Sequence, residues 1–86
     1  MTRPRRDRDV LERAVLDTLG IADRWMPIPS IVYRARERYG CTASAGEVAS
    51  ALSSLARQRL VKRSAIHGNT FSYRLTARGK SARHVL

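Results

Sequence analysis

Basic side chains are the residues of this sequence best suited to binding chemistry, and they are unevenly distributed. The 86 residues include 17 Lys and Arg against 7 Asp and Glu, a formal net charge of +10. Residues 1–47 hold nine basic and all seven acidic side chains, whereas residues 48–86 hold eight basic side chains and no acidic one. A surface kept charged only for solubility normally mixes both signs, so this distribution predicts a polyanionic partner.

Nucleic acid fits this charge better than a membrane does. A membrane surface would require an apolar face that the core does not use, and a chain of 86 residues has none to spare. No apolar run approaches the length of a membrane span or a secretory signal, which favours a cytoplasmic location. The length allows one compact domain with a small core.

Catalytic and metal-binding patterns are missing from the sequence. Cys41 is the single cysteine, and His67 and His84 lack the spacing of a metal pair or a zinc motif. No nucleophile is accompanied by a base, and there is no glycine-rich phosphate loop or carboxylate pair. We therefore expect a protein that is not an enzyme and has no cofactor, metal or small-molecule ligand.

The N-terminal half of the sequence predicts two helices that would position the basic residues. Residues 1–8 are rich in arginine and offer almost nothing to bury, so they are expected to form a flexible basic arm before a domain over residues 9–86. Helical spacing predicts a first helix over about residues 9–19, ended by Gly20. Two prolines predict an extended segment over residues 26–28. A second helix follows over about residues 30–39, with inward residues Ile31, Val32, Ala35 and Tyr39.

The C-terminal half predicts a third helix and a β-hairpin. Ser44 and Glu47 form a capping box, and a buried stripe follows at Val48, Ala51, Leu52 and Leu55. A strand over about residues 60–65 and a Gly-Asn turn lead to a second strand, in which Phe71, Tyr73 and Leu75 alternate with Ser72 and Arg74. Thr76 is suited to cap a short last helix.

Three helices followed by a hairpin resemble the winged helix-turn-helix fold, and particular residues resemble MarR-type and related bacterial winged-helix regulators. In their pattern, an apolar residue is followed by Leu four and seven positions on, and the phrase Y-x-L-T-x-x-G-[KR] follows the wing. Residues 48–63 match the first part and residues 73–80, YRLTARGK, match the phrase. The resemblance implies an α+β fold with a three-helix core, a β-hairpin wing and a short C-terminal helix.

Two departures from that pattern limit what the resemblance implies. Arg59 stands where the family usually has the glycine that turns the helix into the strand, so either a non-glycine residue makes this turn or the helix ends differently. The long flanking helices through which MarR-type proteins dimerise are missing. Their ligand pocket and obligate dimer therefore do not carry over, and at most a weak homodimer on DNA is expected.

The resemblance implies that the outward face of the third helix lies in the major groove of double-stranded DNA. This face is formed by Ser44, Ala45, Gly46, Glu47, Ala49, Ser50 and Ser53. It lacks the Arg, Asn and Gln side chains that usually read bases, which leaves Ser hydrogen bonds, Ala contact with a thymine methyl and a carboxylate for a cytosine amine. A small face also lets the helix backbone approach closely. The alternative is an inert solvated face with binding elsewhere.

Cations near the wing are the candidates for contacts with the DNA backbone or the minor groove. They lie at the end of the third helix and on the wing strands, at Arg57, Lys62, Arg63 and Arg74. At the wing tip, His67 and Asn69 are candidates for groove contact, although Gly-Asn is also ordinary turn chemistry. Further candidates for backbone or minor-groove contacts are Arg3, Arg5, Arg6 and Arg34, with an electrostatic tether as the alternative for the arm.

The sequence thus favours a sequence-specific or semi-specific double-stranded DNA-binding protein that regulates transcription. Two other classes stay open at this point. An RNA-binding or ribosome-associated module would contact RNA by shape and 2′-hydroxyl groups rather than through a helix in a groove. A protein-interaction winged helix would pack the small face of the third helix on a partner and would bind no duplex.

Overall fold

The computed structural model describes residues 5–66 and 70–85. In that part of the chain four helices and three strands follow one another: α1 Arg5–Ala22, β1 Met26–Pro27, α2 Ile28–Tyr39, α3 Ala45–Arg57, β2 Val61–Ile66, β3 Thr70–Leu75 and α4 Ala77–Val85. The strands form an antiparallel sheet in the order β1-β3-β2. The predicted α+β architecture, with a three-helix core, a hairpin and a C-terminal helix, is confirmed.

Helix α1 is longer at both ends than the sequence predicted. It begins at Arg5 rather than Asp9, so residues 5–8 of the predicted arm are helical, consistent with the high helix propensity of arginine. Residues 1–4 lie outside the described residues. The helix also continues past Gly20 to Ala22, and the residue that turns the chain is Asp23, with φ 48°. Aspartate is one of the few residues other than glycine that adopt this left-handed conformation readily.

Helix α2 begins at Ile28, about two residues before the predicted start, so only Met26 and Pro27 of the predicted extended segment form β1. The predicted burial of Ile31 and Ala35 is confirmed. Val32 is partly buried against the core. The inward placement predicted for Tyr39 is wrong, because this last residue of α2 is 42% exposed and lines a surface groove instead of the core. Gly40 then ends the helix with φ 63°, where its N–H donates to the Arg36 carbonyl.

Helix α3 has the capping box and the buried stripe that the sequence predicted. The Glu47 N–H donates to Ser44 Oγ at 3.2 Å, and the Ser44 N–H donates to Glu47 Oε1 at 3.0 Å. These bonds satisfy two backbone donors that a helix start otherwise leaves unpaired. The buried stripe comprises Val48, Ala51, Leu52 and Leu55.

Arg59 makes the turn that leads from α3 into the hairpin, and it does so in the glycine-like conformation. Its φ is 63°, the same as that of Gly40 at the end of α2. The Arg59 N–H donates to the Ala56 carbonyl and the Leu60 N–H to the Leu55 carbonyl, which is the hydrogen-bond pattern of a Schellman motif. Of the two alternatives, the structure therefore has the non-glycine turn.

Helix α4 is attached to this same turn by the residues of the matched phrase. Thr76 Oγ1 donates to the Arg59 carbonyl at 2.7 Å and accepts from the Gly79 N–H at 3.0 Å, so Thr76 caps α4 as predicted. A Cβ on Gly79 would lie 2.0 Å from the Leu60 carbonyl oxygen, so only glycine fits here. Tyr73 and Leu75 of the phrase are core residues.

Both faces of the hairpin follow from the pairing of β2 with β3. Val61 pairs with Leu75 and Arg63 with Tyr73, and Phe71 lies two residues from Tyr73 in β3, so these five residues share one face of the sheet. We call it the helix-side face, because Val61, Tyr73 and Leu75 pack in the core with residues of the helices. The opposite, outer face carries Lys62, Ser64, Ser72 and Arg74.

The burial of two hairpin residues differs from the burial that strand alternation predicted. Phe71 is 40% exposed, because it lies on the helix-side face but farther along the hairpin than the core residue Tyr73. Ser72 is only 5% exposed although it lies on the outer face. Its small side chain is in the middle strand, with Pro27 and Ser64 as its neighbours on the flanking strands.

Candidate nucleic-acid interface

The predicted recognition face of α3 is accessible. Opposite the buried stripe, the exposed residues of this face are Ser44, Ala45, Gly46, Glu47, Ser50 and Ser53, and Ala49 is half-buried. A Cβ on Gly46 would be 3.8 Å from Ser44 Oγ, an ordinary contact, so packing does not require glycine at this position. The face is therefore both small and open to a flat or grooved partner.

Two residues of this face already have a structural task. The Ser44 and Glu47 side chains hold the capping box, so each uses an oxygen to accept from a backbone N–H. Both types of oxygen have further lone pairs with which they accept a second bond. Ser50 and Ser53 lie farther along the exposed face of the helix, which gives the face hydroxyl groups beyond the capping box.

On the helix-side face of the hairpin, Arg63 is the exposed cation. Its Cζ atom lies 4.4 Å from the centroid of the Phe71 ring, within the range of a cation–π interaction. The ion pairs of the described residues do not include Arg63, and the acidic residues of the sequence all precede residue 48. Arg57 is also exposed, in the last turn of α3.

On the outer face, Arg74 has an acidic partner and Lys62 lies near a different aromatic ring. Arg74 Nη2 lies 3.6 Å from Asp23 Oδ1, and Lys80 Nζ of α4 lies 3.2 Å from the same oxygen. Lys62 Nζ is 5.8 Å from the centroid of the Trp25 ring. The Lys80 ammonium, with a smaller contribution from the Arg74 guanidinium, holds the pKa of Asp23 below its ordinary value.

The wing cations that the sequence grouped together therefore lie on two sides of the sheet. Register places Lys62 opposite Arg74 on the outer face and Arg63 on the other. Lys62 and Arg74 have partners in Trp25 and Asp23, whereas Arg57 belongs to α3 and not to the sheet. Sequence reasoning missed the roles of Phe71 and Asp23, since both depend on the strand pairing and on contacts between distant residues.

The remaining predicted contact residues lie elsewhere or outside the described residues. Arg34 is exposed on α2. Arg5 and Arg6 belong to the first turn of α1. Arg3, His67 and Asn69 fall outside the described residues, so their predicted contacts stay predictions.

Metal-binding clusters and membrane-spanning helices are absent from residues 5–66 and 70–85. No group of three His, Cys, Asp or Glu side chains there is arranged to hold a metal ion. None of the described helices is long and apolar enough to cross a membrane. A groove of about 460 Å³ lies between the start of α1 and the turn from α2 to α3, and its lining includes Val10, Tyr39 and Cys41.

Comparisons with known proteins place this arrangement among winged-helix structures. No protein-family model matches the chain, and no curated protein matches it. The solved structure of RosR from H. salinarum superposes with a TM-score of 0.77 at 25% identity and covers 87% of this chain. A PadR-family transcription regulator from Clostridium difficile superposes with a TM-score of 0.71 at 20% identity, also over 87% of the chain.

A third similar structure is that of a protein from Thermoplasma acidophilum assigned as a transcriptional regulator. It covers 98% of this chain with a TM-score of 0.76 at 21% identity. The chain spans 66% of the length of RosR, 80% of the PadR-family protein and 81% of the Thermoplasma protein. These likenesses establish the winged helix-turn-helix fold. They do not single out the MarR-type proteins, to which the sequence motifs were compared.

Proposed function

We propose that this chain is a double-stranded DNA-binding protein that regulates transcription, with sequence-specific or semi-specific recognition. In this proposal α3 enters the major groove, while the hairpin lies along the backbone or in the minor groove. The observation that carries it is the exposure of the small-residue face of α3 together with the exposure of the cations Arg57 and Arg63. The similar structures of transcription regulators support the same role.

The cations and the face of α3 contribute differently to binding. Cations neutralise phosphates and release counterions, which supplies affinity without regard to sequence. The face of α3 has hydroxyl and methyl groups and the Glu47 carboxylate but no Arg, Asn or Gln, so discrimination must come from short-range contacts and from the shape of the groove. Because recognition depends partly on DNA shape, we expect it to be semi-specific.

The proposed function includes an oligomeric state and a location in the cell. We expect a monomer or a weak homodimer on DNA, in the cytoplasm and associated with the nucleoid when bound.

Direct binding to equal lengths of duplex DNA and duplex RNA tests the proposal. At moderate salt we expect DNA to compete effectively and RNA poorly, because the major groove of RNA is too deep and narrow for a helix. Neutralising ~5 phosphates predicts a log-log salt slope of about −4 to −5. Preference for RNA would favour the RNA-binding alternative, and no duplex binding would favour the protein-interaction alternative.

Selection of bound sites from random duplexes then tests specificity. A recovered common sequence whose selection changes in a Ser50→Ala plus Ser53→Ala variant would support recognition by the face of α3. Both side chains are outside the buried stripe, so the substitutions leave the core intact. Selection that recovers no sequence would contradict specific recognition and would leave nonspecific DNA binding.

A further inference from the structure

Phe71 is a large aromatic side chain that does not belong to the hydrophobic core. It is 40% exposed, whereas Tyr73, two residues along the same face, is buried and belongs to the core. Exposed aromatic rings at such positions are free to hold a neighbouring side chain. The neighbour here is Arg63, which pairs with Tyr73 and is therefore diagonal to Phe71 across the two strands.

The contact between these two side chains leaves the hydrogen-bond donors of Arg63 uncommitted. The Arg63 Cζ atom lies 4.4 Å from the ring centroid of Phe71. A cation over a ring is attracted by the negative face of the π system, and this attraction uses none of its N–H groups as donors to an acceptor atom. The guanidinium keeps its five N–H donors for phosphate oxygens or base edges.

Arg74 illustrates the opposite arrangement on the other face of the hairpin. Its Nη2 atom lies 3.6 Å from Asp23 Oδ1, an ion-pair distance, so the carboxylate attracts the same positive charge that a phosphate would. A phosphate must therefore compete with Asp23 for Arg74, but it does not compete with Phe71 for Arg63. The same residue type is thus held by a carboxylate in one place and by a ring in the other.

We propose that Phe71 is a positioning residue for DNA binding, which holds the Arg63 guanidinium ready for a phosphate or a minor-groove edge. This inference rests on the proposed function, since it assigns a partner to Arg63. An arginine side chain loses considerable rotamer entropy when it is fixed in a contact. A ring that restricts it beforehand reduces the loss on binding, which is the general benefit of preorganisation.

The test is a double-mutant cycle in the full chain, with Arg63→Ala, Phe71→Leu and the two combined. Leucine keeps an apolar side chain at this exposed position but has no π face. Affinity for one fixed DNA duplex is measured at constant salt. We expect Phe71→Leu to weaken binding about threefold to tenfold when Arg63 is present and to have almost no effect in the Arg63→Ala background. Phe71→Tyr, which keeps the ring, should retain the original affinity.

A readout without DNA separates positioning from a change in the fold. The aromatic ring current of Phe71 shifts the proton resonances of the Arg63 side chain, and this shift should disappear in Phe71→Leu while the thermal midpoint stays unchanged. Equal losses of affinity in both backgrounds, or no loss in either, would overturn the inference. If the unaltered chain binds no duplex, the proposed function fails. Binding that depends on Arg63 but not on Phe71 would overturn this inference alone.

Discussion

On the helix-side face of the hairpin Arg63 lies over Phe71, whereas on the outer face Arg74 shares the Asp23 carboxylate with Lys80. Both faces belong to the same two strands and carry arginine in adjacent cross-strand pairs. The difference is the chemistry of the partner, because a ring carries no opposing charge, whereas a carboxylate neutralises the charge that a phosphate would meet. We therefore expect the partner of each cation, rather than the number of cations, to decide which of them bind a nucleic acid most readily.

The largest expected effect distinguishes the two faces directly. Arg63→Ala should weaken duplex binding about tenfold and reduce the salt slope by about 1, since it removes one charge-assisted contact to phosphate. Arg74→Ala should change affinity less than about threefold, because Asp23 already competes for that guanidinium. Fluorescence anisotropy titrations over a salt series measure both quantities.

Arg78→Ala provides the matched control for this pair of variants. Arg78 is exposed on α4 and its loss changes the net charge by the same amount. It should leave the salt slope nearly unchanged. Equal effects of Arg63→Ala, Arg74→Ala and Arg78→Ala would mean that the chain binds through its overall charge and that the faces of the hairpin do not differ.

The next effect concerns the surface of α3 beside the helix-side face. Gly46→Ala should be accommodated by the fold and even favour the helix, by up to about 1 kcal/mol, because glycine costs stability in a helix. The added methyl group would nevertheless lie on the exposed face and hinder close approach to a groove, with an expected severalfold loss of affinity. Thermal unfolding and duplex titration are measured on the same variant. Unchanged or improved duplex binding would remove Gly46 from the interface.

A smaller effect is expected from releasing the cations of the outer face. Asp23→Asn removes the charge that attracts Arg74 and Lys80, so affinity for duplex should rise about twofold to threefold and the salt slope should steepen. The pKa of Asp23 is lowered, so its ion pairs are complete at neutral pH and weaken only as the pH falls through that depressed pKa. Measurement at pH 7 therefore compares a fully ionised Asp23 with its neutral variant, and a fall in affinity would show that Asp23 supports binding.

The smallest effect on binding is expected at the turn from which the hairpin starts. Arg59→Gly should stabilise the protein by up to about 1 kcal/mol, since a left-handed conformation costs a non-glycine residue roughly 1–2 kcal/mol. Its contribution to duplex affinity should be small if Arg57 and Arg63 supply the contacts. Chemical denaturation measures the stability, and a loss of stability would mean that Arg59 makes compensating contacts.

Patterns among neighbouring residues were sufficient to predict the helices and turns that carry the candidate interface. The capping box at Ser44 and Glu47 and the period of the α3 stripe gave both the start and the buried side of that helix. The phrase YRLTARGK contained the cap at Thr76 and the close approach at Gly79, each of which depends on neighbours within a few residues of the turn.

Contacts between distant residues could not be derived from the same rules. Strand alternation predicts that Lys62 and Arg63 lie on opposite faces of the hairpin. Only the pairing register shows that Arg74 lies beside Lys62 and that Phe71 lies beside Arg63. Asp23 meets Lys80 because α1 and α4 lie together, which no short-range pattern predicts. Tyr39 continues the helical period of α2, yet it lies where the helix ends beside a groove rather than under another element.

We expect the exposed face of α3 and the helix-side face of the hairpin to form the DNA-binding surface. Titration of the isotope-labelled protein with a short DNA duplex, followed by NMR, tests it most directly. Chemical-shift changes should be concentrated at residues 44–53, Arg57, Arg63 and Phe71, with little change in α4. Shifts concentrated in α4 and around Asp23, with the face of α3 unaffected, would contradict it.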